Sequence, residues 1–326
     1  MRRLFLNPYV LLAFASLCWS GNHVVARAVA GHVPPIAIST LRWLIPAFLL
    51  WPLARRRMEY DWPLIKQNWV TMLWLAITGG ALFSALQYIG LQYTTAINVS
   101  TMNSLAPVLI VAASSLLFRD RLHLVQAAGI ATSLIGVLVI VARGTLQTLA
   151  ELKLNWGDLV IIFNMLVFAV YSAGLRLRPS IDWLSFLFVL SVVSVIAQLP
   201  FAVWEALSGY VLQPTWATIL TVAYVGIFPG LLAIAAWNRG VELVGANRAG
   251  PFLHLVPLYS AVLAGVLLGE RLAVYHVVGF ALILIGVWLA SAAPTRLNAS
   301  PQAEEQPALS PAGQTGTCPG ESMPRT

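Results

Sequence analysis

Charged residues are scarce in this 326-residue chain, because Asp, Glu, Lys and Arg make up only 10% of it, against about 25% in soluble domains. A protein in water needs ionic side chains to cover its surface, yet 59% of this chain is hydrophobic. The composition therefore excludes an ordinary soluble globular protein and predicts that most of the surface faces lipid.

Cysteine and catalytic signatures are also nearly missing. Only Cys18 and Cys318 occur, so neither a disulfide framework nor a thiolate metal site is expected, and no cofactor is indicated. The chain lacks the HExxH, G-x-S-x-G, P-loop and G-x-G-x-x-G motifs, and its five histidines are scattered between His23 and His276. We therefore predict that the protein is not an enzyme.

Long apolar windows are what the sequence has in abundance. They cover residues 7–29, 33–53, 69–91, 96–118, 123–142, 156–177, 183–205, 215–237, 247–268 and 273–293. Since about 20 apolar residues cross a hydrocarbon core, these windows predict an all-α integral membrane protein with about ten transmembrane helices. Gly79-Gly80 and Pro229-Gly230 interrupt the third and eighth windows, which is tolerated where the freed backbone faces protein or a water-filled cavity. The polar composition of residues 294–326 predicts a disordered C-terminal tail.

The basic residues lie mostly between the apolar windows, in segments that are expected to be short loops, and they predict the orientation. With the N-terminus inside, the inside segments hold Arg2, Arg3, Arg55, Arg56, Arg57, Lys66, Arg119, Arg121, Arg176, Arg178, Arg239, Arg248 and Arg296, and the outside loops hold Arg27, Arg143, Lys153 and Arg271. By the positive-inside rule, both termini are expected in the cytoplasm and the protein in the inner membrane. The same rule accounts for the net charge of +7, so no nucleic-acid partner is expected.

An internal repeat is visible when the sequence is shifted by 150 residues. Residues 91–140 then lie on 241–290 with twelve identities in fifty positions, which include Pro107/Pro257, Gly129/Gly279 and Gly136/Gly286. Each half has five predicted spans, so the second half must enter the membrane in the opposite orientation to the first. This inverted repeat is typical of secondary transporters, which bind their solute near the midplane where the halves meet.

The ends of both halves resemble a known family. GVLLGERLAVYHVVGFALILIGVWLA (265–290) and SLLFRDRLHLVQAAGIATSLIGVLVIVA (115–142) resemble the end of the EamA repeat, and WSGNHVVAR (19–27) resembles the family's first helix. EamA proteins belong to the drug/metabolite transporter superfamily. The resemblance implies two five-helix EamA repeats, at 7–142 and 156–293, with cytoplasmic termini and transport of amino acids or other small metabolites, commonly as export.

Polar and aromatic groups deep in apolar spans are the candidate solute-binding residues, because a buried amide or imidazole without a partner costs about 1–3 kcal/mol. They are Asn22, His23, Gln87, Tyr88, Asn103, Asn164, Tyr171, Trp237, Asn238, His254 and Tyr259. The alternative for each is hydrogen bonding between helices or, for Tyr88 and Trp237, the interfacial aromatic belt. Pro107 and Pro257 are expected to kink helices at matched depth and so to serve a rocking motion, or simply to shape the packing between helices.

Three charged positions favour structural roles. Asp120 and Glu270 each precede a helix at a turn and are expected to cap it or to favour its positive N-terminal end. Arg42 lies early in the second window, where it could pair with an anionic solute, but the interpretation we favour is that it snorkels to the interface.

The sequence thus predicts a small-molecule transporter that works by alternating access, with an amino acid or related compound as the exported solute. Proton coupling through His23, His254 or a carboxylate nearer the surface, and facilitated diffusion, both fit. An intramembrane enzyme and a membrane sensor without transport remain the alternatives from other classes.

Overall fold

Helices form nearly all of the regular structure in the described part of the chain. The structure is a computed structural model and describes residues 7–29, 33–94, 99, 102–120, 122–142, 155–268 and 274–292. Within these ranges it contains helices and turns and no strand. The predicted tail at 294–326 and the turn residue Glu270 lie outside the described residues.

The helix bounds agree with most of the apolar windows. The helices are α1 Pro8–Ala28, α2 Pro35–Gln67, α3 Trp69–Tyr93, α4 Ala106–Phe118, α5 Leu124–Val141, α6 Trp156–Leu177, α7 Trp183–Leu207, α8 Trp216–Val244, α9 Leu255–Leu268 and α10 Val274–Ala292. Six of them (α1, α2, α3, α6, α7 and α8) are long and apolar enough to cross a bilayer, and α4, α5 and α10 supply shorter apolar stretches. The architecture is therefore an all-α membrane fold with several spans.

Helix α2 is longer than its apolar window predicted. A loop was expected between residues 53 and 69, but the helix continues through Arg55, Arg56 and Arg57 and ends only at Gln67. Its 33 residues correspond to about 50 Å at about 1.5 Å per residue, well beyond the roughly 30 Å hydrocarbon core. The expectation that these arginines lie in a loop was wrong. The end of an apolar window marks the edge of the hydrocarbon core, but the backbone hydrogen bonds of a helix can continue beyond that edge.

The two glycine-containing interruptions are π-helical segments inside continuous helices. Residues Ile77–Leu82 of α3 and Gly226–Leu232 of α8 adopt this wider winding. A shift of 150 residues places 77–82 on 227–232, so the two segments occupy equivalent places in the repeat. A π-segment leaves backbone groups without their usual helical partners, and these groups must be satisfied from elsewhere.

Side chains of α2 satisfy a carbonyl in each π-segment. The indole Nε1–H of Trp43 donates to the Gly80 carbonyl at 3.1 Å, and the guanidinium Nη2 of Arg42 donates to the Pro229 carbonyl at 3.1 Å. The freed backbone therefore faces protein, one of the two environments expected for these interruptions.

The repeat prolines lie in the first turns of helices. Pro107 is the second residue of α4 and Pro257 is the third of α9, which follows a stretch of 3-10 helix at Gly250–His254. The first turn of a helix has no intrahelical acceptor for its N–H groups, so proline fits there without breaking a bond. The winding changes just before each proline, from 3-10 helix to α-helix at Leu255 and from a turn to α-helix at Ala106, and the role of the two prolines in a rocking motion stays a prediction.

Helices α5 and α10 are in close contact along the repeat glycines. A Cβ at Gly129 would lie 2.6 Å from the carbonyl oxygen of Gly286, and a Cβ at Gly136 would lie 2.7 Å from that of Gly279. Each glycine of one half therefore faces the other glycine of the second half, as expected for two helices related by a two-fold axis. We call this contact the glycine seam, defined by Gly129, Gly136, Gly279 and Gly286.

The sequence predicted that Asp120 caps α5, but the structure gives this carboxylate another partner. Its carboxylate accepts two hydrogen bonds from the guanidinium of Arg176 at the end of α6, at 3.1 and 2.5 Å. The cap of α5 is a capping box made by His123 and Gln126. The prediction was wrong because a tertiary ion pair competes for the same carboxylate.

Candidate functional site

Large aromatic side chains meet in the middle of the helical core. Trp19 contacts Phe168 edge-on at 5.5 Å and Trp237 at 5.4 Å between ring centroids, and Phe83 lies 4.7 Å from Phe168. Tyr171 adjoins the same cluster at 6.0 Å from Phe168. The rings come from α1, α3, α6 and α8, so both halves of the chain build this cluster.

A small cavity lies beside the aromatic cluster. It is lined by Trp19, His23, Phe83, Gln87, Asn103, Met165, Phe168, Leu253 and Val256. Its volume is about 20 Å³, which is room for about one water molecule. The cavity is therefore too small for a solute larger than water, and such a solute would need the surrounding helices or side chains to separate.

The polar side chains in and beside the cavity are hydrogen-bonded to each other, but several of their buried nitrogen and oxygen atoms have no partner. Asn103 Nδ2 lies 3.2 Å from His23 Nε2, and Asn164 Nδ2 donates to Gln87 Oε1 at 3.0 Å. Within the part of the chain that the structure describes, the buried atoms Trp19 Nε1, His23 Nδ1, Gln87 Nε2, Asn103 Oδ1 and Asn164 Oδ1 have no hydrogen-bond partner. Since buried polar groups are nearly always hydrogen-bonded, this concentration of unpaired atoms indicates a site for a polar ligand or water.

Two further pairs of predicted residues lie near this cavity and are bonded to each other. The hydroxyl of Tyr88 donates to Asn22 Oδ1 at 2.9 Å, and the hydroxyl of Tyr171 donates to Asn238 Oδ1 at 2.6 Å. The first pair links α1 to α3 and the second links α6 to α8. These four side chains therefore join helices in the described arrangement, and none of them lines the cavity directly.

Trp237 and His254 are held away from the cavity by their hydrogen bonds. The Trp237 indole donates to Ser172 Oγ at 3.2 Å while its ring stays in the aromatic cluster. The imidazole of His254 bonds Ser133 Oγ of α5 through Nδ1 and the Ser104 carbonyl through Nε2 at 2.9 Å. His254 thus connects the start of α9 to α5 and to the turn before α4. Tyr259, half-buried on α9, packs against the hydrophobic core outside the cavity lining.

Arg42 is buried, which overturns the interpretation that it snorkels to the interface. Its exposed fraction is 0%, and its guanidinium lies 5.9 Å from the Trp43 ring centroid and 6.0 Å from that of Phe83. Phe83 lines the cavity, so the charge stands one side chain away from it. The interpretation was wrong because the π-segment of α8 offers Arg42 a carbonyl inside the protein.

The sequence criterion of buried polarity missed the apolar part of the site. Trp19, Phe83, Met165 and Phe168 supply much of the cavity wall, yet nothing about an apolar residue in an apolar span distinguishes it. Trp19 alone carried a signal, since it opens the WSGN stretch of α1.

A sequence model of the EamA-like transporter family matches the chain twice, over residues 6–142 and 155–292. The chain belongs to the EamA-like transporter family. This EamA-like protein is accordingly a multi-pass membrane transporter for a small-molecule solute.

Similar proteins occur in several microbes. An uncharacterized transporter of Bacillus subtilis, YetK, is 29% identical over 92% of this chain and 92% of its own length. Another, YyaM of the same organism, is 25% identical over 88% of this chain and 94% of its own length. A Salmonella typhimurium protein named a probable amino-acid metabolite efflux pump is 25% identical and covers 83% of this EamA-like chain and 90% of its own.

A solved crystal structure shares the fold. It superimposes with a TM-score of 0.69 at 20% identity, covering 87% of this chain and 96% of the other. Among the described residues of this EamA-like protein, no three His, Cys, Asp or Glu side chains stand close enough together to hold a metal ion.

Proposed function

We propose that this protein exports amino acids or related small metabolites across the inner membrane by alternating access. Ten transmembrane helices in two inverted halves, with both termini in the cytoplasm, would carry out the cycle. The observation that carries the proposal is the small cavity with unpaired buried polar atoms in the helical core.

The position of the cavity supports alternating access. Its wall takes Trp19, His23, Phe83, Gln87 and Asn103 from the first matched repeat, and Met165, Phe168, Leu253 and Val256 from the second. A solute held there touches both halves at once. If the halves rock against each other, the same site is opened first to one side and then to the other.

Symmetric features support the inverted relation between the halves. The π-segments fall at equivalent places of the 150-residue repeat, and the glycine seam pairs each glycine with the other glycine of the opposite half. A pseudo-two-fold arrangement of this kind permits two states that the pseudo-two-fold axis relates, one open to each side of the membrane. The glycine seam would then act as a fixed contact while the cavity side opens.

The chemistry of the cavity supports an amino-acid-like solute. Three aromatic rings and three aliphatic or thioether side chains can cover an apolar group, while the neutral polar atoms can bind an amino or carboxyl group. The Salmonella typhimurium relative carries a name of this kind. The outward direction rests on that relative and the orientation on the distribution of basic residues.

The experiment is efflux from liposomes that contain the purified protein. They are preloaded in parallel with labelled phenylalanine, leucine, a nucleoside and a quaternary amine, and efflux is followed with and without a pH gradient. We expect amino acids to leave faster than from protein-free liposomes. Acceleration by an inward proton gradient would support antiport, whereas equal rates would support facilitated diffusion. No flux of any solute would overturn the proposal.

Two variants separate the solute site from its scaffold. Asn103→Ala removes a cavity amide and should lower flux without lowering the amount of protein in the membrane. His254→Ala removes the bonds to Ser133 and Ser104 and should lower the amount of folded protein, with normal flux per remaining molecule. The reverse pattern would place the solute at His254 instead.

A further inference from the structure

Arg42 is a buried guanidinium that the proposed transport function has not yet used. It lies on α2 with an exposed fraction of 0%, and one of its nitrogens, Nη2, is bonded to the Pro229 carbonyl at 3.1 Å. A second nitrogen, Nε, is buried and has no hydrogen-bond partner among the described residues. The Pro229 carbonyl therefore accepts from only part of the N–H donors of the guanidinium.

No carboxylate in the described part of the chain neutralises Arg42. The ion pairs there join Arg57 to Asp182, Arg176 to Asp120, and Arg178 and Arg239 to Glu242. Two buried acidic residues are bound elsewhere. Asp158 accepts from the backbone N–H of Asn155, and Glu205 accepts from the backbone N–H groups of Ile36 and Ala37 at the start of α2.

An unpaired charge in this position is costly. The arginine side chain is always charged in proteins, and a buried charge without a counter-ion strongly destabilises the fold. The Trp43 and Phe83 rings, one carbonyl and the neutral Tyr88 hydroxyl offset part of this cost. Ionisable side chains at membrane depth are by default interpreted as functional, with a partner to be named.

The neighbourhood of Arg42 also favours an acceptor. The guanidinium interacts electrostatically with His23, and it interacts with the Tyr88 hydroxyl both electrostatically and as a hydrogen-bond partner. Among the side chains that line the cavity, two buried donors, Trp19 Nε1 and Gln87 Nε2, have no hydrogen-bond partner among the described residues. In the described arrangement Asn103 Nδ2 donates to His23 Nε2, which leaves His23 Nδ1 as a third unpaired donor.

We propose that Arg42 is the anion anchor of the solute site, where it binds the carboxylate of the transported solute next to the unpaired donors of Trp19, His23 and Gln87. The apolar part of the same solute lies against the rings of Phe83 and Phe168. The proposal rests on the transport function above and narrows its substrate class to carboxylic acids, including amino acids. It also accounts for a buried charge without an internal counter-ion, because the solute supplies the counter-ion during the cycle.

A purely structural role for Arg42 makes a different prediction. If the guanidinium only braces the Pro229 carbonyl, its removal weakens the protein equally whether the ligand is charged or neutral. If it anchors a carboxylate, its removal affects acids and leaves matched neutral compounds unchanged. The two roles can therefore be separated by ligand charge, without relying on loss of activity.

The experiment measures the thermal midpoint of the purified full-length protein in detergent with phenylacetate or phenylacetamide. The two probes have the same ring and differ in the carboxylate. A ligand that binds the folded state raises the midpoint in proportion to the logarithm of its concentration over its dissociation constant. We expect phenylacetate to raise the midpoint of the unmodified protein by several degrees at millimolar concentration and phenylacetamide to leave it unchanged.

The variants are Arg42→Gln, Arg42→Lys and, as a matched control, Arg56→Gln. Arg42→Gln should weaken phenylacetate binding at least tenfold, and Arg42→Lys should keep part of it because the charge remains. Arg56 lies exposed on the same helix, so Arg56→Gln changes the net charge equally and should leave the phenylacetate shift as it is. If Arg42→Gln does not fold, the comparison of acid with amide in the unmodified protein and in Arg42→Lys still decides the question.

Several results would overturn the anchor. These are equal shifts by both probes, no shift by phenylacetate, or an Arg42→Gln variant that binds phenylacetate as the unmodified protein does. Failure of the transport function looks different, because phenylacetate would then stabilise the protein through Arg42 while liposome efflux stays at the protein-free rate. Efflux of amino acids together with equal binding of acid and amide would keep transport and remove the anchor.

Discussion

The glycine seam and the central cavity are two contacts between the halves of this protein, and they are built in opposite ways. At the seam, backbone lies against backbone, and a Cβ at Gly136 would come within 2.7 Å of a carbonyl oxygen. At the cavity, side chains of Trp19, His23 and Gln87 keep buried polar atoms without partners. The seam leaves no space, whereas the cavity leaves polar groups unsatisfied at a cost in stability.

This difference indicates which contact stays fixed and which one opens in the proposed transport cycle. Close packing of small residues is how membrane helices associate, since lipid gives no hydrophobic drive between them. Unsatisfied buried polar groups are tolerated where a ligand completes them. We therefore interpret the seam as the fixed contact of the fold and the cavity as the part that opens.

The largest expected effect is at the seam. Gly136→Leu would drive a side chain into the backbone of α10, and backbone atoms cannot move aside as a flexible side chain can, so we expect loss of folded protein. Ala131→Leu, at an exposed position of the same helix, is the control that introduces the same side chain without the backbone contact, and it should accumulate normally. Size-exclusion chromatography of detergent-solubilised protein measures both. A well-folded Gly136→Leu protein would contradict the seam as a fixed contact.

The next effect is a loss of flux without a loss of stability. The double variant Gln87→Leu with Asn164→Leu removes both members of a buried pair, and such a replacement by apolar groups of similar shape is nearly neutral for stability. We expect a thermal midpoint equal to or above that of the unmodified protein, with efflux lowered at least tenfold. A strong loss of stability with unchanged efflux per folded molecule would show that the pair serves only packing.

A smaller effect is expected at a polar group that is fully partnered. Ser84 Oγ accepts from Ser39 Oγ at 2.7 Å and from Trp43 Nε1 at 2.8 Å, and it donates to the Gly80 carbonyl. Ser84→Ala should lower the free energy of unfolding by about 1–3 kcal/mol, since buried partners lose their bonds. Ser208→Ala, an exposed serine bonded only to its own helix in the described structure, should stay within about 0.5 kcal/mol. Thermal unfolding of both variants side by side tests this, and equal losses would contradict it.

The smallest effect is expected at the ion pair between Asp120 and Arg176. The Arg176 side chain is 43% exposed, and exposed pairs contribute about 0–1 kcal/mol. Asp120→Asn should therefore shift the thermal midpoint only slightly, and less in high salt than in low salt. A large shift that does not respond to salt would mean that Asp120 has a structural role beyond the pair.

Much of the fold could be predicted because the signals are local. An apolar window is a property of consecutive residues, so α1, α6 and α10 begin and end within two residues of the predicted limits. The Gly-Gly and Pro-Gly interruptions likewise marked the π-segments of α3 and α8. Where a local signal competes with a tertiary one, prediction was wrong, as for Asp120, which pairs with Arg176 instead of capping α5.

The candidate site could be predicted only in part. Polarity in an apolar span singled out His23, Gln87 and Asn103, which line the cavity. It equally singled out His254, which the structure bonds to Ser133 and Ser104 away from the cavity lining. A sequence shows that a buried polar group needs a partner, and it does not show whether that partner is another helix or a solute.

The amino-acid sequence by itself determined the membrane environment, the helical segments, the 150-residue repeat and the family, because hydrophobic length and repeated residues are written along the chain. Only the tertiary structure decided which polar groups meet, since Asn22 and Tyr88 are 66 positions apart and Arg42 and Pro229 are 187 apart. It buried Arg42 where the sequence favoured the interface, and it added the aromatic wall of the cavity. The physical reason is that pairing and burial depend on how the helices pack against one another, which no single helix encodes.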